Sequence, residues 1–227
     1  MDEINELKSV YYLGVIPQTW KGEFKNKAKD GTVYWVYAII APTWDTAGKK
    51  IGYTAIRQDI TSKKLLEELA VRDYLTGLYN RLKIDELIEY EIVQSSRYKT
   101  PLSMLILDID YFKHVNDSCG HQTGDQVLKE ISQILKSVCR SSDSIGRWGG
   151  EEFLILLPNT KLDEALHVAE KIRQSIDEHI FTIVGHKTAS LGVSQFINDD
   201  SLCSFLKRAD NALYQAKEAG RNTVVLG

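Results

Sequence analysis

Cysteine is scarce in this chain: Cys119, Cys139 and Cys203 are the only three among 227 residues. They are scattered, odd in number and without metal-ligand spacing, which argues against a disulfide framework or a cysteine-based zinc site. They read as reduced thiols filling core positions in a cytoplasmic protein. An excess of positive charge is also missing. With 28 Lys and Arg against 31 Asp and Glu, the net charge is −3 and the pI about 6.0. A broad nucleic-acid footprint is thereby disfavoured, whereas a nucleotide needs only a few local cations. No apolar run approaches the length that spans a bilayer, and no signal-peptide pattern opens the sequence. The expectation is a chain with no membrane segment, no internal repeat and no low-complexity stretch.

What is present is the composition of an ordinary soluble globular protein, 43% hydrophobic and 26% charged, long enough for one domain plus something smaller. The first sixty residues have β character. Val33–Ile40 and Ile51–Ile56 are rich in β-branched and aromatic residues, and Asp30-Gly31 and Asp45-Thr46-Ala47-Gly48 punctuate them as turns. Two or three strands are too few for an independent sheet, so this segment reads as part of a domain. Residues 61–72 carry strong helix formers behind a Thr/Ser cap, with Leu65, Leu69 and Leu66 along one edge. So short a helix is marginal alone; it pairs with its own copy, continues a helix packed on the next domain, or is a plain linker, since two turns cannot establish a heptad register.

From Asp73 onward helices and strands alternate. Helices are predicted over Arg81–Arg97, Gly124–Cys139, Leu162–Glu178 and Leu202–Ala219, and strands over Leu102–Leu107, Thr188–Phe196 and Thr223–Leu226. Leu102–Leu107 is too uniformly apolar to have a wet face. Between them, Arg147-Trp148-Gly149-Gly150-Glu151-Glu152-Phe153 reads as a tight hairpin, because glycine enters the conformations of short turns at no steric cost. The fold class that follows is α/β, a central mixed sheet covered by helices.

Alone, Gly-Gly-Glu-Glu is a hairpin with a solvated acidic tip. Its neighbours change that reading. The strand ending at Leu107 delivers Asp108-Ile109-Asp110, and ligands of α/β sheets gather at the carboxyl ends of strands. Asp108 and Asp110 face the same way if extended and diverge if a turn begins at Ile109. Pairing Asp108 with Glu151 across adjacent strands would give a hard-oxygen site suited to magnesium, which uses one or two carboxylates with water and substrate phosphates.

Four motifs in order resemble the GGDEF family of diguanylate cyclases: Asp73-Tyr74-Leu75-Thr76-Gly77-Leu78-Tyr79-Asn80-Arg81; Leu107 to Asp117 with Gly120-His121 and Gly124-Asp125; Gly149 to Phe153; and Ala212 to Asn222. The resemblance implies a palm-like nucleotidyl-cyclase fold over residues 73–227. The implied reaction joins two GTP into cyclic di-GMP with release of two pyrophosphates, in a homodimer that uses Mg2+ or Mn2+. Carried over by position, Asp108 and Glu151 bind metal, with Ile109 giving its backbone carbonyl. Either Glu151 or Glu152 accepts the proton. Asn116 and Asp125 read guanine, the turn Tyr111-Phe112-Lys113 cradles phosphate, and Gly149 and Gly150 allow close approach of the nucleotide. Lys217 and Arg221, four apart on a helix ending near Gly220, hold the terminal phosphates. Arg140 and Asp143 match the family's inhibitory product site, an Arg-x-x-Asp that binds cyclic di-GMP. The rival reading is a silent domain of the same family that binds nucleotide without turnover.

The N-terminal segment, roughly residues 10–61, resembles the C-terminal half of a PAS sensor domain through Trp20 to Phe24, Lys29-Asp30-Gly31, Tyr34-Trp35, Pro42 and Asp59-Ile60-Thr61. The implied organisation is a partial PAS segment over residues 1–60, a signalling helix over 61–72 and the cyclase domain over 73–227.

Overall fold

The computed structural model describes residues 18–198 and 200–227. The chain divides into two compact units, residues 1–70 and 71–227. The first eight residues of the PAS-like stretch, 10–17, lie outside the described residues.

In the first unit, β1 (Trp20–Lys27), β2 (Val33–Trp44) and β3 (Lys50–Asp59) form an antiparallel meander in that order. Both turns fall where the sequence placed them. Gly31 takes φ +92°, and Asp45 accepts from Ala47 N at 2.9 Å and Lys49 N at 2.8 Å, the side-chain-to-backbone bonding that makes Asp a turn former. Helix α1 (Thr61–Val71) starts where Asp59 Oδ1 accepts from Thr61 N at 2.8 Å. Leu65, Leu66 and Leu69 are all more than half exposed along it.

The second unit is built on a five-stranded mixed sheet with order β10-β9-β4-β6-β5. Its elements run α2 (Arg81–Tyr98), β4 (Leu102–Ile109), α3 (Phe112–Cys119), α4 (His121–Val138), β5 (Ser144–Gly149), β6 (Glu152–Pro158), α5 (Leu162–Asp177), β7 (Ile180–Phe181), β8 (Gly185–His186), β9 (Ala189–Gln195), α6 (Leu202–Glu218) and β10 (Val224–Leu226). β4 is central and buried at every residue. It pairs antiparallel with β6 and β9, while β10 runs parallel to β9. Alternate residues of β4 therefore feed two cores. Leu105, Leu107 and Ile109 pack with α3, α4 and α5 through Phe112, Val127, Ile131 and Ile172. Leu102, Met104 and Ile106 pack with α2 and α6 through Ile84, Ile88, Phe205 and Leu213.

Glycine sets the closeness of this packing at Gly192. A Cβ on Gly192 of β9 would collide with the α6 backbone at Ala209 and Leu213. Backbone cannot yield as a side chain can, so this site admits glycine alone.

The structure corrects four expectations. The stretch after Asp110 is a helix, α3, rather than an open turn, and α4 begins at His121 rather than Gly124. Arg221 is not on the last helix: α6 ends at Glu218, and Gly220, Arg221 and Asn222 follow at φ +108°, +68° and +44°. Among the cysteines only Cys139 is partly buried. Cys119 and Cys203 are exposed, because each sits on the outer face of an amphipathic helix.

Candidate active site

One end of the sheet gathers the acidic residues Asp108, Glu151 and Glu152 singled out above and one of the two expected cations. β4 ends there with Asp108 and Ile109, the β5–β6 hairpin turns there at Gly150-Glu151, and α6 brings Lys217. The Ile109 side chain is buried in the core, which leaves only its backbone to face a site.

The carboxylates are clustered and under strain. Asp108 is 8% exposed, and its cross-strand partner is Glu152, with Glu151 in the turn. The expected pairing of Asp108 with Glu151 is thus shifted by one residue. The β4–β6 ladder runs unbroken from Leu102–Pro158 to Asp108–Glu152, which leaves Glu151 beyond the last pair, in the turn. Burial pushes the Asp108 carboxyl above its ordinary range; Lys217 pulls it back and neighbouring Asp110 pushes it further. Glu151 is raised by burial and then by Asp108. Glu152 is raised by burial and Asp108, against Lys217, with Asp210 and Glu151 adding to the rise. Lys217 Nζ lies 2.8 Å from Asp108 Oδ2, so the apparent phosphate ligand of the sequence is here the counter-ion of the buried acid.

Asp110 plays a different part from its neighbour. It is 2% exposed and accepts from Thr188 Oγ1 at 2.6 Å, Ser190 Oγ at 2.7 Å and Asn222 N at 3.1 Å. Its carboxylate is spent on tying β4, β9 and the loop after α6 together. Asn222 is held a second time, its Oδ1 accepting from Arg173 Nη1 at 2.8 Å. These bonds hold two non-glycine residues in left-handed backbone, a costly conformation that persists only when surroundings fix it. They place the Arg221 guanidinium 4.6 Å over the Tyr111 ring.

Tyr111 itself has φ +56° and precedes α3, whose first residue is the buried Phe112; Lys113 is exposed. The turn expected to cradle phosphate is therefore a helix N-terminus, where first-turn N–H groups have no intrahelical acceptor. Asn116 on α3 and Asp125 on α4 are half-buried. Among the described residues neither gives its side chain to another residue in a hydrogen bond. Gly124 makes room for the Asn116 amide, since a Cβ there would run into Asn116 Oδ1 and come within 3.1 Å of the Phe112 ring.

Arg140 and Asp143 are not part of this cluster. They form a turn before β5, with Asp143 Oδ2 accepting from Arg140 N at 2.8 Å. β5 separates them from the hairpin tip by roughly 17 Å of strand. The Arg140 side chain is exposed.

The diguanylate cyclase GGDEF domain family matches residues 70–223, about two thirds of the chain. The chain belongs to the GGDEF family. Diguanylate cyclase DgcM of Escherichia coli (strain K12) is 39% identical over 206 residues, covering 89% of this chain and 50% of that protein. So long a match extends from the GGDEF domain back into the first unit. The chain spans about half the length of the curated relatives it matches. Among solved structures, the active GGEEF domain of a diguanylate cyclase from Vibrio cholerae superposes with a TM-score of 0.63 at 39% identity, covering 65% of this chain and 96% of that one. The GGDEF domain of DgcB from Caulobacter crescentus in complex with c-di-GMP gives 0.67 at 32% identity, covering 69% and 95%.

Two features of this GGDEF domain escaped the sequence: the Asp110 anchor and the side chain of Arg147, which folds back onto the hairpin. Both are hydrogen-bond networks between segments far apart in the chain, and neither leaves a periodic pattern. Asp110's place beside Asp108 at a strand end was the one available signal.

Proposed function

We propose that this chain is the catalytic portion of a diguanylate cyclase, condensing two GTP into cyclic di-GMP with release of two pyrophosphates. The observation that carries the reading is the cluster Asp108, Glu151 and Glu152. These are three carboxyls raised above their ordinary range and answered by one lysine, and α3 and α4 carry an unspent Asn116 and Asp125. Titratable groups so perturbed in a cleft mark functional sites.

The donor set fits a divalent ion. Among the described residues no group of three or more His, Cys, Asp or Glu could by itself hold a metal ion. An open site of one or two carboxylates completed by substrate phosphates is what Mg2+ takes. Asp108, Glu151 and the Ile109 carbonyl would hold Mg2+ or Mn2+. The ion, when bound, offsets charge on the phosphate oxygens and lowers the pKa of the attacking ribose hydroxyl.

The chain's own groups do the rest. An amide and a carboxylate can read the O6, N1–H and N2–H2 edge of guanine, the role assigned to Asn116 and Asp125. The α3 N-terminus, Tyr111 to Lys113, takes phosphate through backbone N–H groups, and Gly149 and Gly150 leave the hairpin free of side chains at the point of approach. Arg221, steadied on Tyr111, and Lys217 face the leaving pyrophosphate. Glu151 or Glu152, their basicity raised by burial and by Asp108, receives the proton of the 3′-hydroxyl.

One domain holds one GTP, so closing both phosphodiester bonds requires a homodimer. The exposed Leu65, Leu66 and Leu69 of α1 support that helix as the pairing element. GTP as substrate supports a cytoplasmic location. No helix among the described residues is long and apolar enough to cross a membrane. The β-meander of the first unit, included in the match to DgcM, supports a partial PAS segment ahead of the cyclase. Arg140 and Asp143, remote from the cluster and partly exposed, support a separate product site; Arg140→Ala should relieve inhibition by added cyclic di-GMP with initial turnover largely intact. The reaction is tested by incubating the purified chain with GTP or ATP and Mg2+ and separating the products. Cyclic di-GMP and pyrophosphate in a 1:2 ratio from GTP, and nothing from ATP, is the expected result.

A further inference from the structure

Arg147 lies at the root of the hairpin, five-sixths buried, and its guanidinium is turned along the hairpin. Nε and Nη2 both donate to the Gly150 carbonyl, at 3.0 and 2.8 Å. Nη1 faces the two Asp73 oxygens at 3.4 and 3.3 Å. Asp73 is itself fixed from behind, accepting from Thr76 N at 2.9 Å and Thr76 Oγ1 at 2.7 Å. The Thr76 carbonyl in turn accepts from Lys136 Nζ at 3.1 Å and Ser132 Oγ at 3.4 Å, both on α4. The backbone follows the same path: Tyr79 N donates to Ile145 O at 3.0 Å and Arg147 N to Tyr79 O at 2.9 Å. One turn, Asp73 to Gly77, therefore joins the helix that carries Asp125 to the hairpin that carries Glu151.

The clamp grips the one peptide that matters most for Glu151. The Gly150 carbonyl and the Glu151 N–H belong to a single planar unit. Fixing the direction of that carbonyl fixes the plane from which the Glu151 side chain departs. Gly149-Gly150 would otherwise be the loosest dipeptide of the hairpin, because glycine has the most backbone freedom to lose, and Gly150 sits at φ +31°. The fork has a geometric requirement as well as a charge. A guanidinium can present parallel donors to a carbonyl and a third to a carboxylate, whereas an ammonium is a point charge with no fixed plane.

We propose that Arg147 is a positioning residue: anchored on Asp73 and acting through the Gly150 carbonyl, it aims the Glu151 carboxylate toward Asp108 and so sets the affinity of the site for a divalent cation. This rests on the reading of Asp108 and Glu151 as metal ligands.

The test uses the full chain and the variants Arg147→Lys, Arg147→Met and Asp73→Asn, the last keeping an acceptor for Thr76 in case the arginine variants fold poorly. Mn2+ binding is followed by electron paramagnetic resonance in the presence of α,β-methylene GTP, an analogue that cannot release pyrophosphate. Hydrogen exchange is followed in the peptide spanning Trp148 to Phe153. Arg147→Lys should weaken Mn2+ binding about tenfold, as loss of a supporting group does at metal sites. Exchange in the hairpin should quicken, and metal-free affinity for the analogue should not change. Asp73→Asn should move both readouts the same way by a smaller factor. Unchanged Mn2+ affinity in Arg147→Lys, with the unsubstituted protein binding normally, overturns the positioning role alone. Failure of the unsubstituted protein to bind Mn2+ overturns the metal-site reading and this inference with it.

Discussion

Lys217 Nζ stands 2.8 Å from Oδ2 of Asp108, and the acid it neutralises is 8% exposed. A lysine that the family resemblance assigns to phosphate is, in the folded chain, paired with the buried acid of the cluster. Lys217→Met leaves Asp108 buried without its partner, which costs about 1–3 kcal/mol at neutral pH. Burial already raises the Asp108 carboxyl, and removing the lysine raises it further. A raised acid favours the folded state below its pKa and opposes it above. The destabilisation should therefore be largest at alkaline pH and shrink as the pH falls through the raised value. Thermal melts of both proteins at several pH values check this.

The same sign governs the whole cluster. Asp108, Glu151 and Glu152 all have raised carboxyls, so the metal-free protein gains stability from them as the pH drops from neutral, and the gain is complete below the ordinary carboxylate range. Glu152→Gln should raise the melting temperature at neutral pH and leave it unchanged in acid. Mn2+ binding should follow the opposite course, falling away on acidification at a pH above the ordinary carboxylate range.

Gly124→Ala pushes a methyl group into Asn116 Oδ1. If Asn116 reads guanine, the substitution should raise the KM for GTP about tenfold, equivalent to about 1.4 kcal/mol, with kcat and the melting temperature changed far less. Steady-state kinetics beside a thermal melt separate the two.

Asp110→Ala removes the acceptor shared by Thr188, Ser190 and Asn222. The expected loss is about 2–4 kcal/mol in a denaturant melt. Terminal-phosphate binding should weaken with it as Arg221 leaves its seat on Tyr111.

The cysteines give a check independent of nucleotide. Burial pushes the Cys139 thiol up to about 12, whereas Cys119 and Cys203 are exposed. A thiol reagent at neutral pH should modify two thiols per native chain quickly and the third only on unfolding.

Much of this was legible in the sequence, for reasons visible residue by residue. The uniformly apolar Leu102–Leu107 is the central strand because both its faces are covered. α2, α5 and α6 fall within a residue of their predicted ends because Asn80 and Ser201 cap two of them and Lys99 closes the first in left-handed backbone. Local signals failed where tertiary bonds decide. The β4–β6 register sets Asp108 opposite Glu152, α3 replaces a turn once Phe112 is drawn into the core, and Arg221 falls in the left-handed stretch after α6 where Asp110 and Arg173 hold Asn222. Motif order suggested which residues to look for; the wiring through Asp73, Arg147 and Asp110 left no such signal.

The most direct measurement is the rate of cyclic di-GMP formation from GTP and Mg2+ as a function of protein concentration, for the chain and for Glu151→Ala. A specific rate that rises with concentration as dimers form, and turnover abolished by Glu151→Ala in a protein that melts normally, is the expected result. GTP binding with no cyclic di-GMP at any concentration, or undiminished turnover in Glu151→Ala, would contradict the assignment of this cluster as the cyclase active site.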